Sequence, residues 1–332
     1  YHTAWRPDPA RGFTQPAGGG FISDNTYNKP TDEVLLISLL ALGSDLEDPL
    51  LRKCYFGYPR DEKTYAALTG TNKGKEYTVV NSYFGSLFTY LYAHCFFDFE
   101  SLGADKTYFA EDAPHPVSID WWDNSVQAYH AHRQFCIDNS SDYPFAYHKS
   151  SWGISPVQRP DGRYEGRYGA VPFDNGPGHD GVVALYAPLS SLPFFRESEY
   201  EMPSNNEGFQ ALRFYYNNYY DRMYGPYGFY DSFSNEGEFS SVYLGIDSGP
   251  IVLMIENYRS DFIWNIFSQN ETISDVLDLV FATSFDWLNH EVCNIVDDEV
   301  VSEIDFGSLE NGEIVSAHQY LKIDTNFKYQ TG

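Results

Sequence analysis

Three carboxylates stand where this 332-residue chain could use them for acid–base chemistry. Glu33 opens an apolar segment, Asp231 follows the aromatic and glycine-rich run 224–230, and Asp247 shortly precedes the apolar segment 251–267. A carboxylate at a helix start feels the helix dipole, and burial among aromatic side chains raises its pKa. Two carboxylates with different pKa values can act as acid and base on one substrate, as cleavage of a glycosidic bond requires.

Each of these carboxylates also has an ordinary structural interpretation. Glu33 is typical of a first helical turn, where the dipole favours a negative charge. Asp247 and Asp180 are placed as helix N-caps. Asp98 and His94 close an apolar segment, where helix-end hydrogen bonding is common. The residues alone leave both interpretations open.

Other chemistries lack their motifs. The sequence contains no GxSxG, HExxH, GxxxxGK[ST] or GxGxxG pattern, so nucleophilic, zinc-protease and nucleotide sites are not indicated. The four cysteines have no metal-ligand spacing, and Cys95 and Cys136 lie in apolar segments that predict buried thiols. His130 and His132 are two residues apart on a predicted helix and point to different faces. We expect neither a metal nor another cofactor.

The amino-acid composition limits the classes of molecule that the protein is expected to bind. The formal net charge is −26, which disfavours nucleic acid and anionic membrane surfaces, and no apolar run is long enough to span a bilayer. Aromatic residues make up 18% of the chain. Tyr and Trp combine an apolar face with a polar group, which suits stacking on sugars, although most single aromatics are expected to fill the core. A carbohydrate partner is therefore the favoured ligand class.

The elements that must position these residues alternate in character. Fully apolar helices are predicted near 33–42, 82–97, 181–192 and 251–267, and more amphipathic helices near 119–137 and 207–220. The segments 150–178 and 224–250, rich in Gly and Pro, are predicted to be long loops of functional type. Alternating buried and amphipathic helices predict an all-α fold of two concentric helical layers.

The last part of the chain differs from the rest. From about residue 269 the sequence has acidic clusters, no proline and short β-like runs such as 313–316. We therefore predict a helical domain over 1–268 and an accessory region over 269–332. The first residues lack a starting Met and the apolar core of a signal peptide, so the chain is expected to be processed or cut.

Several segments resemble the glucoamylase-like family whose characterised members act on β-1,2-glucan. The similarity covers roughly residues 20–268 in order. It is carried by WWDNSVQA at 121–128, HRQFCIDN at 132–139, SWGIS at 151–155, YGAVP at 168–172, YGFYDSF at 227–233 and YLGIDSGPIVLMIENYR at 243–259.

The resemblance implies an (α/α)6 toroidal barrel and a glycoside hydrolase related to endo-β-1,2-glucanases, sophorose-releasing enzymes and glucosyl transferases. It implies Glu33 as the acid, Asp231 as the opposing base and Asp247 as the reserve base. Inversion is the precedent for the hydrolases, while retaining relatives leave the stereochemistry open. A periplasmic or secreted location is expected from the family and the acidic composition.

The resembling segments and the predicted loop also contain candidates for contacts with the sugar. Aromatic and polar residues of the resembling segments and of the predicted loop are the candidates: Trp121, Trp122, Asn124, Trp152, Arg163, Tyr168, His94 and Asp98.

The chain also departs from the family pattern. Four inner-type helices are predicted where a closed barrel needs six, so the barrel is expected to be incomplete at the N-terminus, open, or completed by a missing segment or a second chain. Asp45-Leu46-Glu47 follows LALGS, where the family has Pro-Thr-His. The alternative hypothesis is a non-catalytic carbohydrate-binding or structural protein that keeps the fold.

Overall fold

The fold is built from helices joined by long irregular segments and small strand pairs. The computed structural model describes residues 5–6, 20–21, 32–44, 55–57, 60–106, 117–170, 178–196 and 205–281. Contacts divide the chain into the units Tyr1–Phe281 and Ala282–Gly332, and the described residues all lie in the first. The α-helices are α1 (Asp32–Leu42), α2 (Phe99–Leu102), α3 (Trp121–Asp138), α4 (Tyr186–Leu189), α5 (Glu207–Met223), α6 (Gly245–Ser260), α7 (Phe262–Ser268) and α8 (Glu271–Val280).

The described strands pair antiparallel in twos. They are β1 (Trp5–Arg6) with β2 (Gly20–Phe21), β3 (Glu62–Ala66) with β4 (Glu76–Val80), β5 (Val157–Gln158) with β6 (Tyr164–Glu165), β7 (Val182–Ala184) with β10 (Ser232–Ser234), and β8 (Tyr224–Gly225) with β9 (Gly228–Phe229). β7 and β10 come from distant parts of the chain and pair with Ser232 opposite Ala184. This pair brings the residue before β10, Asp231, against the start of α4.

The helices predicted near 33–42, 119–137 and 207–220 are confirmed as α1, α3 and α5. α1 ends at Gly43, whose N–H donates to the Leu39 carbonyl at 3.0 Å. The Asp120 carboxylate caps α3 by accepting the Asp123 N–H at 2.9 Å. Asn206 caps α5 in the same way. These helices combine a cap with an apolar face, so local sequence suffices to define them.

The prediction of an α-helix over 82–97 is wrong. The segment forms three short 3₁₀ turns, with Phe84 in the left-handed region at φ 51°. The Phe88 N–H donates to the Ser155 hydroxyl at 2.8 Å and not to its own helix. Contacts with distant side chains thus replace the regular hydrogen-bond ladder. The turns are Tyr83–Gly85, Leu87–Tyr90 and Tyr92–Cys95.

Two further apolar segments also differ from the prediction. Residues 181–192 form β7 and then the four-residue α4, because β10 offers β7 a backbone partner and Pro188 lacks an N–H for a longer helix. The helix predicted over 251–267 begins earlier, as α6 at Gly245, and it breaks at Asp261, whose φ is 52°. The predicted loop over 224–250 is therefore shorter.

The core consists mainly of aromatic side chains. Trp152, Tyr129 and Phe233 lie in one large cluster beneath α3 and the β7–β10 pair, and a second cluster joins α1 to α8. The sequence predicts that the apolar helix near 33–42 is buried, but Ile37 and Leu40 of α1 are exposed. It also places α6 in the inner, apolar set of helices. In the described structure Ile246 and Val252 are exposed, because its main described partners, α4 and the turn Tyr92–Cys95, contact it elsewhere on its surface.

The two described cysteines are buried thiols, as predicted. Cys95 and Cys136 have no solvent-exposed surface and form no disulfide. Burial raises the pKa of Cys136 to about 12 and that of Cys95 further still. Both side chains are therefore held as neutral thiols at physiological pH.

The described helices can be compared with the length and hydropathy of membrane-spanning helices. None of them combines the length and the apolar character that crossing a bilayer requires.

Candidate active site

Asp231 is held between two elements by its backbone. It follows the β8–β9 hairpin by one residue and directly precedes β10. Its N–H donates to the Val242 carbonyl at 3.0 Å, and its carbonyl accepts the Leu185 N–H at 3.0 Å. The residue is buried. The direction of its side chain is therefore fixed by the sheet and by the start of α4.

The Asp231 carboxylate is tied to β5. Its Oδ2 accepts the Gln158 N–H at 2.5 Å, and the Ser232 hydroxyl donates to the Gln158 carbonyl at 2.6 Å. An N–H aimed at a carboxylate stabilises the ionised form. The long loop that carries Gln158 thus positions Asp231 and favours its negative charge.

Asp247 is buried in the first turn of α6. The residue that caps this helix is Leu244, so the interpretation of Asp247 as an N-cap is wrong. Only 3% of Asp247 is exposed, and none of the described residues donates a hydrogen bond to its buried Oδ2. An ionised carboxylate in such a position would carry a large desolvation cost, so this side chain favours its protonated form.

The carboxyl groups of Asp231 and Asp247 are hydrogen-bonded to each other, with Asp247 as the donor. Burial and the negative charge of Asp231 raise the pKa of Asp247 to about 9. Burial also raises the pKa of Asp231, while the bonds from Asp247 and from the Gln158 N–H oppose that rise. The two residues form an acid pair in which Asp247 keeps its proton at neutral pH.

Tyr186, the first residue of α4, lies beside the acid pair. Its buried hydroxyl can donate to the Ser155 hydroxyl, 2.6 Å away, or to the Pro156 carbonyl, 3.1 Å away. Burial, together with the nearby carboxyl groups of Asp247 and Asp231, raises the pKa of Tyr186 well above its ordinary value. Tyr186 is therefore a neutral hydroxyl next to the pair and cannot supply a charge.

A second polar cluster is joined to the acid pair through β5. Arg159, the residue after Gln158, binds the Asp180 carboxylate with two hydrogen bonds of 2.8 Å. The Tyr168 hydroxyl is hydrogen-bonded to the same carboxylate, and Arg163 binds Asp161 at 2.7 Å. Two predicted sugar contacts, Arg163 and Tyr168, are thus close together in the structure. Asp180, predicted as a helix cap, instead pairs with arginine and tyrosine.

The other predicted contacts have structural partners. Trp152 is fully buried among core aromatics. The Trp121 indole donates to the Tyr55 hydroxyl at 2.9 Å, and the Asn124 Oδ1 accepts the Val80 N–H at 2.7 Å. Trp122 is half-buried and packs edge-on against Trp264. Side chains with these partners have little surface to offer a ligand.

His94 and Asp98 lie at the end of the turn region. His94 is buried, with Nε2 at 2.8 Å from the Ser125 hydroxyl. Asp98 caps α2 by accepting the Ser101 N–H at 3.2 Å. Glu33 occupies the second position of α1, and its side chain lies outside the described residues. The structure thus brings together Asp231 and Asp247 and places His94 and Asp98 elsewhere.

Sequence reasoning missed Tyr186 and Gln158. Tyr186 is part of a uniformly apolar stretch, where a tyrosine indicates only core packing. Gln158 acts through its backbone N–H, so its side-chain type carries no signal. The pairing of β7 with β10 brings Tyr186 to Asp231, and hydrogen bonds to Asp231 and Ser232 hold Gln158 there.

Comparisons with known proteins relate this chain to one group of carbohydrate-active proteins. Residues 25–271 match the family model Glycoamylase, described as "Putative glucoamylase". An exo-β-1,2-glucooligosaccharide sophorohydrolase acting at the non-reducing end, from Parabacteroides distasonis, is 25% identical over 205 residues. That match covers 60% of this chain and 26% of the relative.

Two solved structures are similar in fold. A glucoamylase-like protein from Bacteroides uniformis is 25% identical with a TM-score of 0.59, covering 85% of this chain and 60% of that one. An endo-β-1,2-glucanase from Chitinophaga pinensis, in complex with sophorotriose and glucose, is 26% identical with a TM-score of 0.56, covering 75% and 54%. The chain thus spans about a quarter of the curated relative and little more than half of the solved ones.

Proposed function

The chain belongs to the Glycoamylase family, and on that premise we propose that it is a glycoside hydrolase acting on β-1,2-linked glucans. The observation that carries the proposal is the buried acid pair Asp231–Asp247, since acid–base chemistry on a neutral sugar needs a carboxylate with a raised pKa. Relatives named for β-1,2-glucan cleavage supply the substrate class.

The acid pair acts as one catalytic unit in this proposal. Carboxyls on the two sides of a glycosidic bond lie about 5 Å apart in retaining enzymes and about 6.5–9.5 Å apart in inverting ones. Hydrogen-bonded carboxyls are closer than either, so no bond to be cleaved fits between Asp231 and Asp247. The leaving-group oxygen must receive its proton from another acid. We assign that role to Glu33, which opens α1.

Asp231 is proposed as the base that takes a proton from the attacking water. The pair carries one negative charge before this step and none after it, so the transfer removes a buried charge. A carboxylate with a raised pKa is also the stronger base. Asp247 holds the proton that the pair carries before this step and orients Asp231, while the Gln158 N–H fixes the oxygen Oδ2 of Asp231. Attack by water on the opposite face of the sugar ring inverts the anomeric centre.

The helices are proposed to line this site as an (α/α)6 barrel. The support is the helix-rich architecture and its similarity to solved relatives.

The test is incubation of the protein with linear β-1,2-glucan, with β-1,3- and β-1,4-glucans as controls. We expect sophoro-oligosaccharides from the first substrate alone, identified by mass spectrometry, with the new anomer assigned by NMR. The Glu33→Gln variant should release far less product. Binding of β-1,2-glucan without product would favour the alternative, a non-catalytic carbohydrate-binding protein. Product in undiminished yield from Glu33→Gln would remove that residue from the mechanism.

A further inference from the structure

Four exposed tyrosines form a row that the proposed chemistry does not use. We call Tyr216, Tyr220, Tyr224 and Tyr227 the tyrosine strip. Their exposed fractions are 53%, 41%, 39% and 83%, whereas many other tyrosines of the described residues are buried in the core. Large aromatic side chains held in solvent at adjacent positions indicate a surface that binds something.

The first part of the strip follows one face of α5. Tyr216 and Tyr220 are spaced by four residues on α5, so their rings lie one above the other along the helix, and Tyr224, the first residue of β8, directly follows the helix. Ring centroids are 4.8 Å apart for the first pair and 4.9 Å for the second, whose planes are nearly parallel at 21°. The strip is thus a connected surface whose rings support one another.

The opposite face of α5 explains why these rings stay outside. Tyr215 is fully buried, and Tyr219 packs against Phe233 and Phe239 of the core. Burial of this inner face fixes the rotation of the helix and leaves the strip in solvent. The exposure therefore follows from the amphipathic pattern of α5 and needs no local distortion.

The β8–β9 hairpin extends the strip. Tyr227, at its tip, contacts Tyr243 edge-on at 5.6 Å between centroids, and Tyr243 contacts Tyr230 at 4.9 Å. Gly225 permits this arrangement, because a Cβ there would lie 2.7 Å from the Tyr230 hydroxyl and closer still to that of Tyr243. The β8–β9 hairpin therefore packs closely against the side chains of Tyr230 and Tyr243.

The strip ends at the candidate base. The Tyr230 N–H donates to the Met223 carbonyl at the end of α5, at 2.8 Å. The next residue is Asp231, whose N–H is bonded to Val242, the neighbour of Tyr243. The backbone and these two hydrogen bonds thus connect the tyrosine strip directly to Asp231, one member of the acid pair.

The chemical character of the tyrosine strip indicates which class of ligand it can bind. Solvent-exposed phenol rings in a connected row suit the apolar faces and hydroxyl rims of pyranose rings. Exposed polar residues flank them on α5, namely Arg213, Asn217 and Asp221, so the surface lacks the continuous apolar character of a protein interface. The net charge of −26 disfavours an anionic polymer. A neutral sugar chain meets all three conditions.

We propose that the tyrosine strip is an extended binding surface for β-linked glucan, which holds sugar units remote from the cleaved bond and leads the chain to Asp231. The ligand class rests on the proposed function. Long chains reach the strip and short oligosaccharides do not, so the strip sets a preference for chain length.

Binding is measured by titration calorimetry in the Asp231→Asn background, which prevents cleavage. The ligands are long β-1,2-glucan and a short sophoro-oligosaccharide, and the test variant carries Tyr220→Ala and Tyr224→Ala. Phe262→Ala, which removes an exposed aromatic side chain of α7 outside the strip, is the matched control. We expect the test variant to bind the long glucan about tenfold more weakly. Its affinity for the short ligand, and the control's affinity for both, should not change.

Three outcomes would overturn the inference: unchanged binding of long glucan, an equal loss for both ligands, or loss of self-association in place of glucan binding. Thermal unfolding of each variant shows whether the fold is retained, and Tyr220→Phe should restore binding. Failure of the proposed function is a separate result, since it appears as absence of cleavage by the wild-type protein. The long-to-short comparison decides the role of the strip in either case.

Discussion

At the scale of single residues, the central feature is the proton that Asp247 keeps beside Asp231. A buried pair of this kind keeps one carboxyl neutral where an isolated aspartate would be ionised. The two residues therefore differ in what their substitution should do. Substitution of Asp231 should change the catalytic activity. Substitution of Asp247 should change the pH range over which the fold and the activity are retained.

Asp231→Asn should lower the rate of glucan cleavage by about 10²–10⁴-fold, the usual contribution of a general base. An amide cannot accept the proton of the attacking water, while its similar shape preserves the contacts of Gln158 and Ser232. The measurement is product release from β-1,2-glucan, beside Asp142→Asn, which changes an exposed carboxylate outside the site. Activity equal to that of this control would contradict the assignment of the base.

Asp247→Asn should alter the pH dependence of stability. The folded pKa of Asp247 is raised to about 9, while the unfolded carboxyl titrates near 4, so between these values the folded state binds the additional proton. Stability from this group is present below about pH 4 and is lost as the pH rises towards 9, with a limiting slope of about 1.4 kcal/mol per pH unit. The asparagine removes that loss.

Urea unfolding at pH 5, 7 and 9 measures the effect. The free energy of unfolding should fall more steeply with pH for the wild type than for Asp247→Asn. Parallel pH profiles would show that Asp247 is ionised in the folded protein and does not keep this proton.

At the scale of elements, the loop that carries Gln158 is fixed to β7 and α4 through Gly153. Its carbonyl accepts the Ala184 N–H at 3.0 Å, and its φ is +120°. An added Cβ would lie 2.9 Å from the Ala184 carbonyl oxygen and 2.7 Å from the Pro188 ring. Glycine is required here both for its backbone angle and for space.

Gly153→Ala should therefore destabilise the fold by about 1–3 kcal/mol from strain alone, with the steric clash in addition. Gly162→Ala is the matched control, because its φ is +85° and no atom lies within 4 Å of the added Cβ. Urea midpoints of the two variants separate the clash from the backbone strain. An equal loss of stability in the two variants would mean that the steric clash at Gly153 does not contribute to the free energy of unfolding.

The elements also show what sequence reasoning can reach. α3 and α5 were predictable because their caps and their periodic apolar faces act locally. The segments 82–97 and 181–192 were not, since an apolar run fits a helix, a strand or irregular core packing equally well. Their conformation is decided by distant partners such as Ser155 and β10.

The same distinction applies to the candidate site. Asp231 and Asp247 could be singled out as carboxylates in unusual surroundings, but the proton that Asp247 keeps depends on the β7–β10 pair and on the position of α6. Asp247 in particular has the sequence context of a helix cap, and only its burial distinguishes the two roles. Tyr186 carries no chemical signal until the fold brings it to the pair.

At the scale of the whole molecule, the two described cysteines are distributed over the main core. Cys95 lies in a 3₁₀ turn beneath α6, where its carbonyl accepts from Asn257, and Cys136 lies in α3. Neither has solvent-exposed surface, and burial holds both thiols far from ionisation. Attack by either sulfur requires a thiolate that a reagent can reach.

This burial turns the two sulfur atoms into internal reporters of how often the fold opens. We expect a maleimide to leave the peptides that contain Cys95 and Cys136 unlabelled in native buffer and to modify them in urea, as read by mass spectrometry. If Cys136 labels ahead of Cys95, α3 separates before the rest. Native labelling as fast as that of a free thiol would contradict the packing, whereas slow labelling yields an opening rate that an added glucan should reduce.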